Sequence, residues 1–145
     1  MSIWFESFTL EELHHRGLDT MVNYLDIEFT EIGDDYLKAT MPVSEKTQQY
    51  MGILHGGASC VLAETIGSVA ANCVIDHSKY RAVGQEISAS HLRPVPHGQI
   101  VTGITKPIML GKRSQVWEIK LYNSEGKITC ISRLTMAVIE AKKLS

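Results

Sequence analysis

Residues 49 to 65 read QYMGILHGGASCVLAET, and one side chain near the end of that stretch stands apart. From Gly56 to Ile75 the chain is Gly, Ala, Ser, Cys, Val, Leu, Thr, Ile and Asn, and Glu64 is its only ionisable residue apart from two cysteines. A carboxylate inside an apolar run is costly unless it is paired or neutralised. Either a local donor holds it as a structural charge, or it does chemistry. A desolvated carboxylate beside an oxyanion-stabilising site is a competent base or nucleophile. His55-Gly56-Gly57 is the candidate for that second site. Glycines at a helix start let backbone N–H groups point at a ligand unobstructed, and the helix dipole favours an incipient oxyanion there. By spacing alone the two glycines read as a tight turn; Glu64 downstream shifts the balance. Gln49 precedes the loop and can donate through its amide.

Those residues need elements to hold them. The run after His55 has no turn signal for about 18 residues, so its length argues for a helix rather than a buried strand. Apolar nearly all round and rich in small residues, it predicts a central helix with a sheet curled about it. Upstream, Thr9-Leu-Glu-Glu12 is a capping-box pattern that predicts a short helix, and a second short helix is expected over residues 18–25. DIEFTEI and YLKATMPV alternate on either side of Gly33-Asp34-Asp35 and predict a hairpin. RAVGQEISASHLRPV, GQIVTGITKPIML, SQVWEIKLY and KITCISRLTMAVIE predict long strands in an antiparallel meander, with Trp117, Ile119 and Leu121 sharing one face. Helices segregated from an antiparallel sheet make the fold class α+β.

The 145 residues read as a single domain, 1–145, large enough to bury a core without staples. A net charge of −2 gives no electrostatic footprint for nucleic acid. No apolar run reaches transmembrane length, and Glu6, Glu11 and Glu12 interrupt what would otherwise be a secretory leader. Cys60, Cys73 and Cys130 form no CxxC pair and read as small buried hydrophobes of a reducing, cytoplasmic compartment. His14 and His15 are adjacent, point to different faces and make a poor metal site. No metal and no cofactor are expected.

QYMGILHGGASCVLAETIGSVA, with GDDYLKATMPV before it and SASHLRPV and LGKRSQVWEIKLYN after it, resembles the hotdog-fold acyl-CoA thioesterases of the phenylacetate-pathway type. The resemblance runs from Trp4 to Ile139. It implies a hotdog fold and hydrolysis of an acyl-CoA substrate, with an aromatic acyl group. It further implies that Gly56 donates its N–H to the thioester oxygen, that Gln49 and His55 orient or polarise the carbonyl, and that Glu64 attacks or activates water. Thr65 and Ser68 would line the acyl and water pocket. His91, Arg93, Lys112 and Arg113 are candidate partners of the CoA phosphates or pantetheine arm, or ordinary surface charges. At Tyr50-Met51 the sequence departs from the family pattern of a proline followed by an aromatic, which bears on the pocket shape near Gln49.

Distance adds a constraint. Eight residues of helix from Gly56 to Glu64 rise about 12 Å, too far for one carbonyl to meet both. A second chain, packed antiparallel, would bring them together in a homodimer with two sites. The resemblance implies the same, with dimers pairing into tetramers. Among rivals, an α/β-hydrolase lacks its G-x-S-x-G elbow here, and a metallohydrolase lacks ligand spacing. A hotdog dehydratase carries its histidine and acid in a more proline-rich setting. A non-catalytic acyl-CoA binding module would have no need of Glu64.

Overall fold

The computed structural model describes residues 1–144. Its elements in chain order are α1 (Leu10–Arg16), α2 (Met21–Tyr24), β1 (Glu28–Ile32), β2 (Leu37–Pro42), α3 (Gly56–Cys73), β3 (Tyr80–His91), β4 (Ile100–Leu110), β5 (Ser114–Tyr122) and β6 (Ile128–Glu140), closed by a 3-10 turn at Ala141–Leu144. The capping box of α1 is formed: Thr9 Oγ1 accepts the Glu12 N–H at 3.1 Å, and Glu12 Oε2 accepts the Thr9 N–H at 2.7 Å. The second helix is shorter than expected. Asp19 sits at a φ of 59° and breaks the chain there, and Thr20 then caps a new start by accepting the Val22 N–H.

The strands form one antiparallel sheet in the order β1-β2-β4-β5-β6-β3. The hairpin β1–β2 and the run β4–β5–β6 lie as the sequence suggests, but the meander does not include β3. It pairs with β6 at the far edge and ends at His91, short of Val95. The reason is local. Leu92 and Arg93 both turn their N–H groups onto Thr129 O, and Pro94 and Pro96 have none to offer a ladder. Residues 92–99 therefore cross the start of α3, where Val95 O takes the Leu54 N–H at 2.8 Å.

The curved sheet holds α3 through Leu62, Ala63, Ile66, Ala70 and Ala71, all fully buried, against Trp117, Ile119, Leu121, Leu134 and Met136. A buried amide ties helix to sheet: Gln115 Nε2 donates to Ala71 O, and Trp117 Nε1 donates to Gln115 Oε1 at 2.7 Å. The helix is not covered all round, however. Val61, Glu64, Thr65, Ser68 and Asn72 form a half-buried stripe that the sheet of one chain leaves open. The neighbouring edge strand β3 is bonded to β6 on one side only. Its far edge is closed at a single point, where the Asn72 carboxamide takes the Ala82 N–H and donates to the Ala82 carbonyl, both at 2.9 Å. A long unpaired strand edge is a template for a further strand. Among the described residues, no helix is long and apolar enough to cross a membrane.

Candidate active site

The loop before α3 is built from its own hydrogen bonds. Thr47 is buried, its hydroxyl donating to Pro42 O and accepting the Ser44 N–H, and its carbonyl accepting the His55 N–H at 2.8 Å. Gln49 to Gly52 then make a tight turn, with Gly52 at a φ of 78° and its N–H on Gln49 O. In that turn the Gln49 side-chain oxygen accepts the Met51 N–H. An amide whose oxygen is held this way presents its NH2 elsewhere, and Gln49 lines a cleft of about 380 Å³ at the helix start. The departure at Tyr50-Met51 is thus confined to side chains that point outward: Tyr50 is 96% exposed.

The helix start has one donor left over. Gly57 N–H goes to His55 Nδ1 at 2.8 Å, while Ala58 and Ser59 donate to His55 O. Gly56 N–H has no acceptor among the described residues, and Gly56 lines the cleft. This is a backbone donor at the positive end of an 18-residue helix, the arrangement a developing oxyanion needs. The same bonds give His55 a structural place within the chain. It is the N-cap, exposed, and its neutral ring must carry the proton on Nε2 because Nδ1 accepts.

His91 and Arg93 reach the same cleft from the end of β3. The His91 ring packs on Gly56: a Cβ added there would lie 3.1 Å from His91 Nε2. Arg93 is held by a hydrogen bond from its guanidinium to Ile128 O at 2.7 Å. Sequence reasoning missed two buried hydroxyl residues in the lining, Ser59 and Thr129. Thr129 is the extra residue of a bulge in β6, since Leu121 faces Cys130 while Tyr122 faces Ile128.

Three groups of candidates lie elsewhere. Glu64 is not in the cleft; its carboxylate rests over Gly84 of β3. Thr65 and Ser68 share its open stripe. Lys112 and Arg113, in the β4–β5 turn, line a groove of about 910 Å³ beyond the opposite end of α3, with Phe5, Tyr80 and Lys143. An 18-residue helix is about 27 Å long, so these two cations are a helix length from Gly56 in the same chain. The cysteines are inert by environment: burial raises all three thiols, Cys130 to about 11, and the Glu64 charge adds to the shift at Cys60.

The thioesterase superfamily model matches residues 51–130. The chain is 49% identical over 137 residues to the 1,4-dihydroxy-2-naphthoyl-CoA hydrolase of Escherichia coli (strain K12), which covers 94% of this chain and 99% of that protein. It is equally 49% identical over 137 residues to the proofreading thioesterase EntH of Cronobacter turicensis, covering 94% and 98%. The crystal structure of a mutant thioesterase PA1618 from Pseudomonas aeruginosa superposes with a TM-score of 0.94 at 42% identity, over 96% of this chain and 99% of that one. The chain belongs to the thioesterase superfamily. Its long helix in a curved antiparallel sheet is the hotdog fold of these thioester hydrolases. A thioesterase must hold a carbonyl oxygen, deliver water to the carbonyl carbon and release a thiol. One chain of this thioesterase has an unpartnered backbone donor in its cleft, among the described residues, and a carboxylate, Glu64, on a separate face.

Proposed function

We propose that the protein hydrolyses aromatic acyl-CoA thioesters at sites shared between two chains, in a homodimer or a tetramer of two dimers. The observation that carries this reading is a Gly56 N–H with no acceptor among the described residues, in a cleft that Gln49 also lines and that no carboxylate lines. The thioester oxygen would accept from Gly56 N–H and Gln49 Nε2. The partner's Glu64 would take a proton from water, whose oxygen bonds to the carbonyl carbon. Collapse of the tetrahedral intermediate breaks the C–S bond, and the carboxyl proton goes to the departing CoA sulfur. In the nucleophile route Glu64 itself bonds to that carbon as the C–S bond breaks and CoA thiolate leaves, and water then opens the mixed anhydride at its glutamyl carbon, passing a proton to the thiolate. Single turnover in H₂¹⁸O labels the Glu64 carboxylate only in the second route. Antiparallel pairing would also carry the partner's Lys112 and the partner's Arg113 toward the cleft end that holds His91 and Arg93, where CoA phosphates would meet four basic side chains.

The aromatic acyl group rests on the similarity to the 1,4-dihydroxy-2-naphthoyl-CoA hydrolase. The equal similarity to a proofreading thioesterase supports a second reading, removal of wrong acyl groups from a carrier protein. The test is a panel of acyl-CoA and acyl-carrier-protein thioesters, followed with a thiol-detecting reagent. Aromatic acyl-CoA should be turned over fastest. Glu64→Ala should fold normally and lose at least ~10² in kcat. Most of the turnover surviving in Glu64→Ala would sink the mechanism, and faster turnover of the carrier-protein substrates would select the second reading.

A further inference from the structure

The seat of the Glu64 carboxylate is built by the strand beneath it. A Cβ built on Gly84 would lie 2.5 Å from Glu64 Oε2, so the oxygen occupies the space that any other side chain at 84 would need. The next nearest side chain, Met136, is at an ordinary 3.9 Å from that Cβ. Directly after Gly84 the strand is irregular. Gly84 faces Met136 and Glu86 faces Thr135, which leaves Gln85 as an extra residue. The bulge reverses the alternation of β3. Before it the helix-facing positions are Ala82, which is buried, and Gly84, which lies under Glu64; after it they are half-buried Ile87 and Ala89, while Glu86, Ser88 and Ser90 are exposed. His91 follows in the same phase and lands on Gly56. Were the same residues paired without the irregularity, Glu86 would face the core and His91 would leave the cleft.

We propose that Gly84 and the Gln85 bulge are the positioning device of the site: Gly84 sets where the Glu64 carboxylate lies, and the bulge turns His91 toward the oxyanion donor. Gly84 acts through Glu64, so the proposal rests on the reading of Glu64 as the reacting carboxylate. The experiment is a cycle of Gly84→Ala with Glu64→Asp, with Glu64→Ala alongside, reading kcat, KM and Tm for each. Gly84 does not have positive φ, so alanine meets no backbone strain, and the one atom within 3 Å of its Cβ ends a flexible side chain that can swing aside at little cost. Gly84→Ala should therefore keep or raise Tm and leave KM nearly unchanged. Its kcat should fall roughly 10- to 100-fold, the scale of an ångström's misplacement of a reacting group. In the Glu64→Asp background, whose shorter side chain vacates the contact, Gly84→Ala should cost less than about twofold further. Wild-type kcat in Gly84→Ala beside an inactive Glu64→Ala overturns the positioning role alone. So does an equal loss in both backgrounds, which marks a general structural effect. Activity retained in Glu64→Ala overturns the role of Glu64 and this proposal with it.

Discussion

Subunit complementation tests the shared site most directly. Two variants are made, Glu64→Ala and Gln49→Ala, each on its own chain. His55 is left intact because it caps α3, and removing a cap costs about 1 kcal/mol of stability that would confuse the readout. The two variants are unfolded, mixed equally and refolded. Random pairing makes half the dimers mixed. In a mixed dimer one site collects both substitutions, and the other takes Gln49 and Glu64 from the two unaltered positions. Half the dimers with half their sites intact should give about one quarter of wild-type activity. The unmixed controls should stay below about a tenth, since each lacks either the carboxylate or the polarising amide. The expectation comes from the geometry. Glu64 is eight residues along α3 from Gly56, about 12 Å, and its carboxylate faces Gly84 rather than the cleft. The assay is CoA release from an aromatic acyl-CoA, with native mass spectrometry to count mixed dimers. Confirmed mixed dimers with no more than the average activity of the controls would refute the two-chain site, and Glu64 would have to reach its own cleft by moving off Gly84.

Two other substitutions separate binding from chemistry. Gln49→Ala should cost roughly 10- to 100-fold, chiefly in kcat, because its amide bond to the carbonyl strengthens as charge develops; a rise in KM at constant kcat would make it a binding residue instead. Lys112→Glu with Arg113→Glu should raise KM for acyl-CoA several-fold and spare a short pantetheine thioester that lacks the nucleotide phosphates, and equal losses on both substrates would count against a phosphate contact.

Local features were legible in the sequence because local chemistry makes them. The capping box at Thr9, the hairpin around Gly33 and the length of α3 each follow from residues a few positions apart. Strand order was not legible: whether β3 pairs with β4 or with β6 depends on a crossover through residues 92–99 whose anchors, Thr129 O and Leu54 N–H, are distant in sequence. The surroundings of Glu64 were half legible. An apolar run announces burial, but composition cannot tell the face a chain buries itself from the face it leaves for another. The bulge left a readable trace, since the small and apolar residues of β3 shift from positions 82 and 84 to 87 and 89. Gln49 alone carried no signal; its orientation depends on the Met51 N–H in a turn that Gly52 makes possible.

The free edge of β3 would give the proposed shared site a definite geometry. Asn72 occupies the Ala82 N–H and carbonyl, so a second strand can pair only beyond that point, along residues 84–91. That segment begins with Gly84, under the Glu64 carboxylate, and ends with His91, against Gly56. Two copies of one segment paired antiparallel about a two-fold axis set the start of each against the end of the other. Gly84 of one chain would then lie across from the partner's His91, and Glu64 would come to the proposed oxyanion donor that its own helix keeps about 12 Å away. The same pairing would cover the stripe of Val61, Thr65 and Ser68 that a single chain leaves half-buried. Burial of Glu64 on assembly is a desolvation cost, which association must offset through strand hydrogen bonds and apolar contact. On the proposed pairing, the carboxylate is tolerable in one chain because the stripe is open, and would become useful in two because the stripe would close over a thioester.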